Sequence, residues 1–304
     1  MVMTRALHPA DLWPGIKAHF GKAYKSMPTQ HTRYFEDKSS DKAYEEFVES
    51  TTFGLPDIKG EGQAIRFDTD SEGYKTRLTN VVWGLGWMAS REEIEDNQYE
   101  SRASRRSRNL ASSMGQSKEI VHAAHFNNGF STSYAGGDGA ALFSTAHPTL
   151  AGNKANKPTV AADLSEAALE DNRISIRLMT NSRGLKMYFR AKELIVPPQL
   201  EFTAERLLKS EKQPGTANND INANKSVSMS GGYSVWDYLT DAKAWFLMVD
   251  NVPEGFVTLQ RRKLEMDQDN DWATSRAGSI GARAGAFRAS KAHPPLTTTD
   301  GALG

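Results

Sequence analysis

Apolar and polar residues follow no regular spacing through most of the first fifty residues, where aromatic and charged side chains mix and prolines interrupt the pattern. Only residues 40–49 differ, because Ala43, Tyr44, Phe47 and Val48 recur at helical intervals. We therefore predict a short helix over 40–49 within an otherwise extended arm. Such an arm packs either on its own domain or on a neighbouring subunit, and the pattern leaves both open.

Residues 63–68 alternate between apolar and polar side chains, as a strand does, and residues 69–73 supply a polar turn that ends in glycine. A second run over 74–83 is rich in β-branched and aromatic residues, which favour strands. The two runs predict a β-ribbon. Because a two-stranded ribbon is marginally stable alone in water, it needs a surface in the same chain or in another subunit.

The strongest helix pattern runs from about residue 90 to residue 125 and contains no proline. Ser90 and Glu93 match the capping-box pattern of a helix start, and the acidic residues around them suit the positive end of the helix dipole. Apolar residues recur every four or seven positions, which gives one narrow apolar stripe. Four arginines cluster on this predicted helix, namely Arg102, Arg105, Arg106 and Arg108.

Beyond residue 126 the pattern is loop-like to about residue 157 and then mixes helices and strands without a βαβ repeat. We predict helices over 164–179 and 199–210, strands over 192–198, 244–249 and 256–261, and a long polar loop over 210–232. Glycine and arginine space the tail from residue 277, and no acidic residue lies between Asp271 and Asp300. This order of elements predicts an α+β fold.

Composition narrows the classes of protein. The chain has 304 residues, with 37 Lys and Arg against 37 Asp and Glu, and no cysteine. The lack of cysteine excludes a disulfide scaffold, a thiolate zinc site, an iron–sulfur cluster and a cysteine nucleophile. No stretch reaches the roughly 18 apolar residues of a membrane helix, the first residues lack a secretory apolar block, and zero net charge argues against coating nucleic acid by charge alone. We expect a soluble intracellular protein.

One loop of small residues carries the side chains of a hydrolytic triad in Ser144, His147 and Asp138. A triad is defined by its geometry and not by closeness in sequence, and no Gly-x-Ser-x-Gly motif surrounds any serine. A soluble hydrolase that uses Ser144 and His147 is therefore a weak alternative.

Other patterns that could form a site are also weak. His122 and His125 have the spacing of a helical pair that could share a metal ion with His147, but the acidic residue of a His-Glu-x-x-His motif is missing. The alternating aspartates of 267–271 lack the glycine and terminal glutamate of a calcium loop. There is no phosphate-binding glycine motif. We assign no catalytic residue, no cofactor and no metal ligand, and we expect no enzyme.

Two further groups of residues each have a functional and an ordinary interpretation. The arginine cluster and the basic tail suit contact with a nucleic-acid backbone, and they equally suit a solvated helix face with salt bridges between subunits. Trp83 and Trp87 lie where the ribbon meets the long helix. Such aromatic residues belong either to a core or to an interface that they anchor.

Several segments, taken in order, carry a resemblance to a known family. Residues 64–68 and 72–74 precede a junction over 82–96 (VWGLGWMASREEIED), and four phrases follow: DGAALFSTAHP at 138–148, LIVPPQLEFTA at 194–204, QPGTANNDIN at 213–222 and AWFLMVD at 244–250. These segments resemble the tailed-phage major capsid proteins of the HK97-like fold, and in particular Mu-like major head subunits. The resemblance covers about residues 50–290.

The resemblance implies a capsid subunit that assembles into pentamers and hexamers of the icosahedral head around phage DNA. It implies an N-terminal arm (1–53), an extended β-ribbon loop laid over a neighbouring subunit (54–90), a peripheral domain (91–159) with a spine helix over about 91–126, an axial domain (160–265), and return strands of the peripheral domain with the tail (266–304). The implied subunit-interface residues are Phe67, Tyr74, Trp83 and Trp87. The residues expected to face the lumen and the DNA are Arg102, Arg105, Arg106 and Arg108.

The same resemblance implies partners and a location. We expect the subunit to contact further copies of itself, a portal and packaged double-stranded DNA, without a membrane partner. The chain leaves no room for a long scaffolding region ahead of the arm, so we expect a separate scaffolding protein. Assembly would take place in the host cytoplasm and the product would be the virion. A cellular nanocompartment shell of the same fold is the nearer alternative, and the hydrolase is the alternative from a different class.

Overall fold

The computed structural model describes residues 9–88, 99–213, 220–227, 229–250, 255–271, 276–284, 287–291 and 296–299. The helices in these ranges are α1 (Pro9–Lys25), α2 (Tyr99–Asn127), α3 (Glu166–Leu178), α4 (Glu201–Lys209) and α5 (Ala223–Ser226). The strands are β1 (Phe35–Ser39), β2 (Tyr44–Ser50), β3 (Glu72–Thr79), β4 (Trp83–Met88), β5 (Ala191–Val196), β6 (Gly232–Val235), β7 (Trp245–Val249), β8 (Phe256–Gln260), β9 (Glu265–Asp271), β10 (Arg276–Ala284), β11 (Phe287–Lys291) and β12 (Leu296–Thr299). This mixture confirms the predicted α+β class.

The chain divides into two compact units. The first contains residues 1–45, 79–122 and 258–289, and the second contains residues 46–78, 123–257 and 290–304. Each unit is made of segments that are distant in the sequence, so most of its contacts are non-local.

The core of the first unit forms where α1 packs against α2. Ala103 and Ala111 of α2 are almost completely buried, and they share one core with Phe20 from α1. The buried side chains of this core are Ile16, Phe20, Ala103, Leu110, Ala111, Met114 and Met266. The narrow apolar stripe predicted for the long helix is therefore the line along which α2 packs.

An antiparallel sheet of order β4-β10-β9 also belongs to the first unit. The tail with glycine and arginine spacing supplies its central strand β10, in which Ile280 lies opposite Trp87 and Ala284 lies opposite Trp83. Gly281 pairs with Gly86, so this pair of positions places no side chain on either face of the sheet. A second sheet of order β1-β8-β11 is made of segments that lie mainly in this unit.

The second unit is built on a sheet of order β12-β7-β5-β6, in which β5 runs parallel to β6 and antiparallel to β7. The buried face of α3 and the apolar side chains of β5 and β7 form one core. Ser165 caps α3, because its side chain accepts a hydrogen bond from Ala168 N. Rings pack around the fully buried Phe126 in the same unit; these are Phe143, Trp236, Phe246 and Phe256.

Most elements of the second unit confirm the sequence predictions. The predicted helix over 164–179 is α3, and the predicted helix over 199–210 is α4. The predicted strands over 192–198, 244–249 and 256–261 are β5, β7 and β8. The described part of the predicted polar loop contains one short helix, α5.

The first ninety residues correct three predictions. Residues 40–49 do not form a helix, because β2 occupies this region and pairs with β3. Residues 63–68 do not form a strand, so the ribbon consists of β2 and β3 with a loop between them. The arm is not extended at its start, since α1 spans 17 residues and contains Pro14.

The predicted start of the long helix lies outside the described residues. These residues include Ser90 and Glu93, so their proposed capping interaction is not described. The described helix α2 begins at Tyr99 and has 29 residues. No helix among the described residues is long and apolar enough to cross a membrane.

Candidate assembly surface

The loop between β2 and β3 exposes most of its large apolar side chains. Residues 51–71 have no regular secondary structure apart from one turn. Ile58 exposes 98% of its surface and Phe67 exposes 93%, and Phe53, Leu55 and Ile65 are exposed as well. Single exposed apolar residues are common on any protein, but several in one segment mark a surface that contacts another molecule. Phe67 was predicted to be an interface residue, and it lies within this segment.

Hydrogen bonds between the two limbs hold the base of this loop. Thr51 N donates to Ser71 O at 3.0 Å, and Ser71 N donates to Thr51 Oγ1 at 3.0 Å. Ser50 Oγ donates to Asp70 Oδ2 at 2.7 Å, and Thr51 is buried. The base is therefore ordered by polar contacts, while the apolar side chains of the loop have few contacts of their own.

Asp68 connects the two limbs further along the loop. Gly54 N donates to Asp68 Oδ2 at 2.7 Å. This hydrogen bond, together with one from the guanidinium of Arg183, lowers the pKa of the Asp68 carboxyl to about 2. Asp68 is therefore a carboxylate at any pH near neutrality.

The ribbon lies against the backbone of the loop that follows α2. A Cβ atom at Gly137 would lie 2.5 Å from Lys75 O and 2.6 Å from Thr76 Oγ1 of β3. Only glycine fits such an approach, because real Cβ atoms essentially never come this close to another heavy atom. Tyr74, which was predicted to be an interface residue, lies on β3 and is 41% exposed.

The two tryptophans of β4 have different environments. Trp87 packs against the core of the first unit, and the guanidinium of Arg106 lies 5.3 Å from the centroid of its ring. Trp83 is 37% exposed. Leu85 lies on the same face of the strand and is 49% exposed. Trp87 thus acts as a core residue of the subunit, and Trp83 is the better interface candidate.

The arginine cluster also divides into two parts. Arg102, Arg105 and Arg108 are exposed, whereas Arg106 is half-buried and donates to Met88 O at 3.5 Å. At 100° per residue, the three exposed arginines lie on the side of α2 opposite the buried alanines and leucine. Arg106 holds β4 to α2, and the other three present positive charge to whatever meets this face.

Two members of the proposed triad meet, but the third does not join them. His147 Nδ1 hydrogen-bonds to Asp138 Oδ2 at 2.5 Å, and the imidazole is buried. His147 Nε2 is buried without a hydrogen-bond partner, and the hydroxyl of Ser144 accepts a hydrogen bond from Ala146 N at 3.1 Å. Because a nucleophilic serine has to be bonded to the imidazole, this geometry is that of a buried pair that ties a loop together.

The other patterns give no site within the described residues. Both ring nitrogens of His122 are used, by Lys118 O at 2.6 Å and by Thr258 Oγ1 at 2.8 Å, so His122 has no nitrogen left for a metal ion. Among the residues that the structure describes, no three His, Asp or Glu side chains are grouped as metal ligands. The aspartates of 267–271 lie in strand β9 and not in a loop.

Sequence reasoning missed a buried ionisable pair in the first unit. His31 Nδ1 lies 2.5 Å from Glu119 Oε1, and Gln30 N and His31 N also donate to this carboxylate. Burial raises the pKa of Glu119, but these hydrogen bonds outweigh it and hold the pKa below its usual value. The 88 positions between the partners leave no local signal in the sequence.

Comparison with known proteins gives the class of this protein. A family model described as phage capsid protein matches residues 73–289. The chain belongs to the phage capsid protein family, and it is a structural subunit of a phage capsid. Among curated proteins, no sequence matches this chain.

Solved structures agree with this class. The procapsid of bacteriophage JBD30 has a TM-score of 0.52 at 13% identity, covering 99% of this chain and 77% of that chain. The capsid of a native GTA particle has a TM-score of 0.56 at 10% identity, covering 91% of this chain and 92% of that chain. A virus-like particle from Pyrococcus furiosus has a TM-score of 0.50 at 8% identity, covering 94% of this chain and 98% of that chain.

These similarities identify the fold as the HK97-like capsid fold, as the resemblance implied. At such low identity they define the fold alone, and the match to the virus-like particle shows that this fold also builds other shells. The family model favours the phage capsid over the cellular nanocompartment. The family is one of structural capsid proteins, and the narrower resemblance to Mu-like subunits stays a prediction.

Proposed function

We propose that this protein is a major head subunit whose loop 51–71 lies across a neighbouring copy, so that pentamers and hexamers close into an icosahedral shell around phage DNA. The observation that carries the proposal is the set of exposed apolar side chains on a loop with an ordered base. A loop of this kind has little to bury its side chains within its own subunit, and a second copy offers the missing surface.

The magnitude of the apolar contribution supports a role in assembly. Full burial of one Ile or Phe side chain contributes about 1.5–3 kcal/mol. Burial of five such side chains gives a large favourable free energy for one subunit. The free-energy costs of ordering the loop and of association reduce this value. Around a closed ring, every copy of the subunit makes the same contact, so each contribution is repeated.

The proposal assigns regions to the roles that the family implies. The ribbon of β2 and β3 with its loop would be the extended loop, α2 the spine of the peripheral domain, and the sheet β12-β7-β5-β6 with α3 the axial domain. The segment ahead of β2 would be the arm. Because β2 begins at Tyr44, the extended loop in this proposal starts before residue 54.

The exposed arginines of α2 support a role in contacting packaged DNA. Arg102, Arg105 and Arg108 are exposed, and guanidinium groups bind DNA phosphates without sequence selection. We propose in addition a separate scaffolding protein, a portal and assembly in the host cytoplasm. Their basis is the capsid class of the protein.

The test changes the tip of the loop and leaves its base intact. Ile58→Ser combined with Phe67→Ser should remove about 2 kcal/mol per residue from each contact, which weakens association roughly thirtyfold for each residue. Sedimentation velocity under conditions in which the wild type assembles should show mainly unassembled subunits.

The matched control changes polar residues of the same loop. Lys59→Ser combined with Gln63→Ser should assemble like the wild type, since both residues are exposed and the change removes no hydrophobic residue. Circular dichroism should show equal folding of all variants. Normal shells from the Ile58 and Phe67 variant would contradict the proposed role of the loop.

A further inference from the structure

A tight turn after α3 is built to present one arginine to the base of the loop. Asn181 N donates to Leu185 O at 2.8 Å, and Asn181 Oδ1 accepts hydrogen bonds from Arg183 N at 3.1 Å and from Leu185 N at 2.8 Å. Gly184 completes the turn with a φ of +84°, which suits glycine. The turn is therefore fixed by its own hydrogen bonds.

The guanidinium group of Arg183 binds one limb of the loop directly and is linked to the other limb through Asp68. Nη1 donates to Asp68 Oδ2 at 2.7 Å, and Nη2 donates to Thr69 O at 2.7 Å. Asp68 Oδ2 also accepts the bond from Gly54 N on the other limb. A Cβ atom at Gly54 would lie 3.2 Å from that oxygen, so the two limbs are close where the arginine binds them.

Asn181 and Ser182, which precede Arg183 in the turn, bind the two residues that directly follow β2. Asn181 Nδ2 donates to Thr52 Oγ1 at 3.1 Å, and Ser182 Oγ donates to Thr51 O at 3.4 Å. Thr52 has a φ of +59°, a conformation that β-branched residues rarely adopt. Such strain persists only where the surroundings hold the backbone in place, and here the turn contacts the strained residue directly.

We propose that residues 181–183 form a latch that sets the direction in which the apolar loop leaves the subunit before any neighbour is present. The latch rests on the proposed function, in which the loop lies on a second copy. A loop already held in its bound direction loses less conformational entropy on assembly. The latch thus makes the subunit ready for assembly without adding a contact to the interface.

The chemistry of the latch requires arginine. The planar guanidinium donates one hydrogen bond to a carboxylate and a second to a carbonyl, whereas the ammonium of lysine is a single point charge. The latch is partly exposed, so its strength comes from this geometry and from the number of bonds and not from charge attraction alone.

The test measures the loop direction in the dilute, unassembled full-length chain. Because the chain has no cysteine, Glu61→Cys at the loop tip and Ala167→Cys on α3 allow two spin labels at defined positions. Both residues are exposed. Double electron–electron resonance should give one narrow distance distribution with Arg183 present, and a roughly twofold broader distribution with Arg183→Ala, because local opening is then more populated.

The controls separate the latch from general destabilisation. Arg183→Lys keeps the charge and should broaden the distribution as well, to a smaller extent, and it serves as the test if the alanine variant does not fold. Arg177→Ala removes an exposed arginine of α3 and should leave the distribution unchanged. Arg183 variants with the narrow wild-type distribution would overturn the proposal.

The outcome is distinguishable from a failure of the proposed function. The distance measurement needs no assembly, so it reports the latch even if the loop has another partner. The Ile58 and Phe67 variant leaves the latch residues intact, so its distance distribution should stay narrow while its assembly is lost.

Discussion

Gly137 is the single residue whose replacement should disturb the ribbon most. A Cβ atom there would lie 2.5 Å from Lys75 O and 2.9 Å from Lys75 C, and backbone atoms cannot move aside as a flexible side chain can. Gly137→Ala should therefore destabilise the subunit by about 1–3 kcal/mol, the usual range for overpacking. Urea denaturation followed by circular dichroism measures this change in the free energy of unfolding.

Gly21 gives the matched control for this prediction. It lies within α1, and a Cβ atom there would meet no heavy atom within 4 Å. Gly21→Ala should stabilise the helix by about 0.5–1 kcal/mol, since alanine has less conformational freedom to lose. Equal stability of the Gly137→Ala variant and the wild type would show that β3 does not lie against this backbone.

For single residues, the sequence predicts roles that follow from the type of side chain. It does not predict contacts between residues that are far apart in the chain. Phe67 is an interface candidate through the family resemblance, and the structure places it among the exposed apolar side chains of the loop. Arg183 carries no such signal, because its partner Asp68 is 115 positions away. Trp87, which the sequence selects as an interface candidate, packs against the core of its own unit, and its role at an interface stays a prediction.

The three exposed arginines of α2 make a prediction at the scale of the element. If this face meets packaged DNA, replacing Arg102, Arg105 and Arg108 with Gln should lower the amount of nuclease-protected DNA per particle. The yield of empty shells should stay the same, because these side chains lie opposite the buried stripe. Each lost phosphate contact should also make the plot of the logarithm of the DNA-binding constant against the logarithm of salt concentration less steep, by about one unit of slope.

Arg106 is the control within the same helix. It stacks on Trp87 and binds Met88 O, so Arg106→Gln should lower the thermal stability of the subunit and leave the DNA content of the shells that form unchanged. Unaltered DNA content in the triple variant would mean that this face of α2 does not contact DNA.

Helices and strands were predicted correctly where local sequence patterns determine them. The helix α3 is predicted because its apolar residues recur at helical spacing, which is a local feature, and the structure adds the cap at Ser165. Residues 40–49 have the same spacing but form β2, because pairing with β3 outweighs a weak helical preference. Residues 63–68 alternate like a strand, yet no neighbouring strand pairs with them, and alternation without a partner does not make a sheet.

At the scale of the whole molecule, the HK97-like fold was predicted only through the resemblance of ordered motifs. Composition and periodicity alone predict an α+β protein with unusual exposed segments. The contacts that define each unit join segments from distant parts of the chain, and no local pattern encodes such contacts. In the proposed function, the exposed apolar side chains of the loop are explained by contact with another copy in the shell.

Sedimentation velocity of the purified wild-type protein, alone and co-expressed with a scaffolding protein from the same phage, tests assembly most directly. Negative-stain microscopy of the fast fraction then shows what has formed. We predict pentamers, hexamers or closed shells tens of nanometres across in at least one of the two preparations. A protein that sediments as a compact monomer in both would contradict assembly into a capsid as its function.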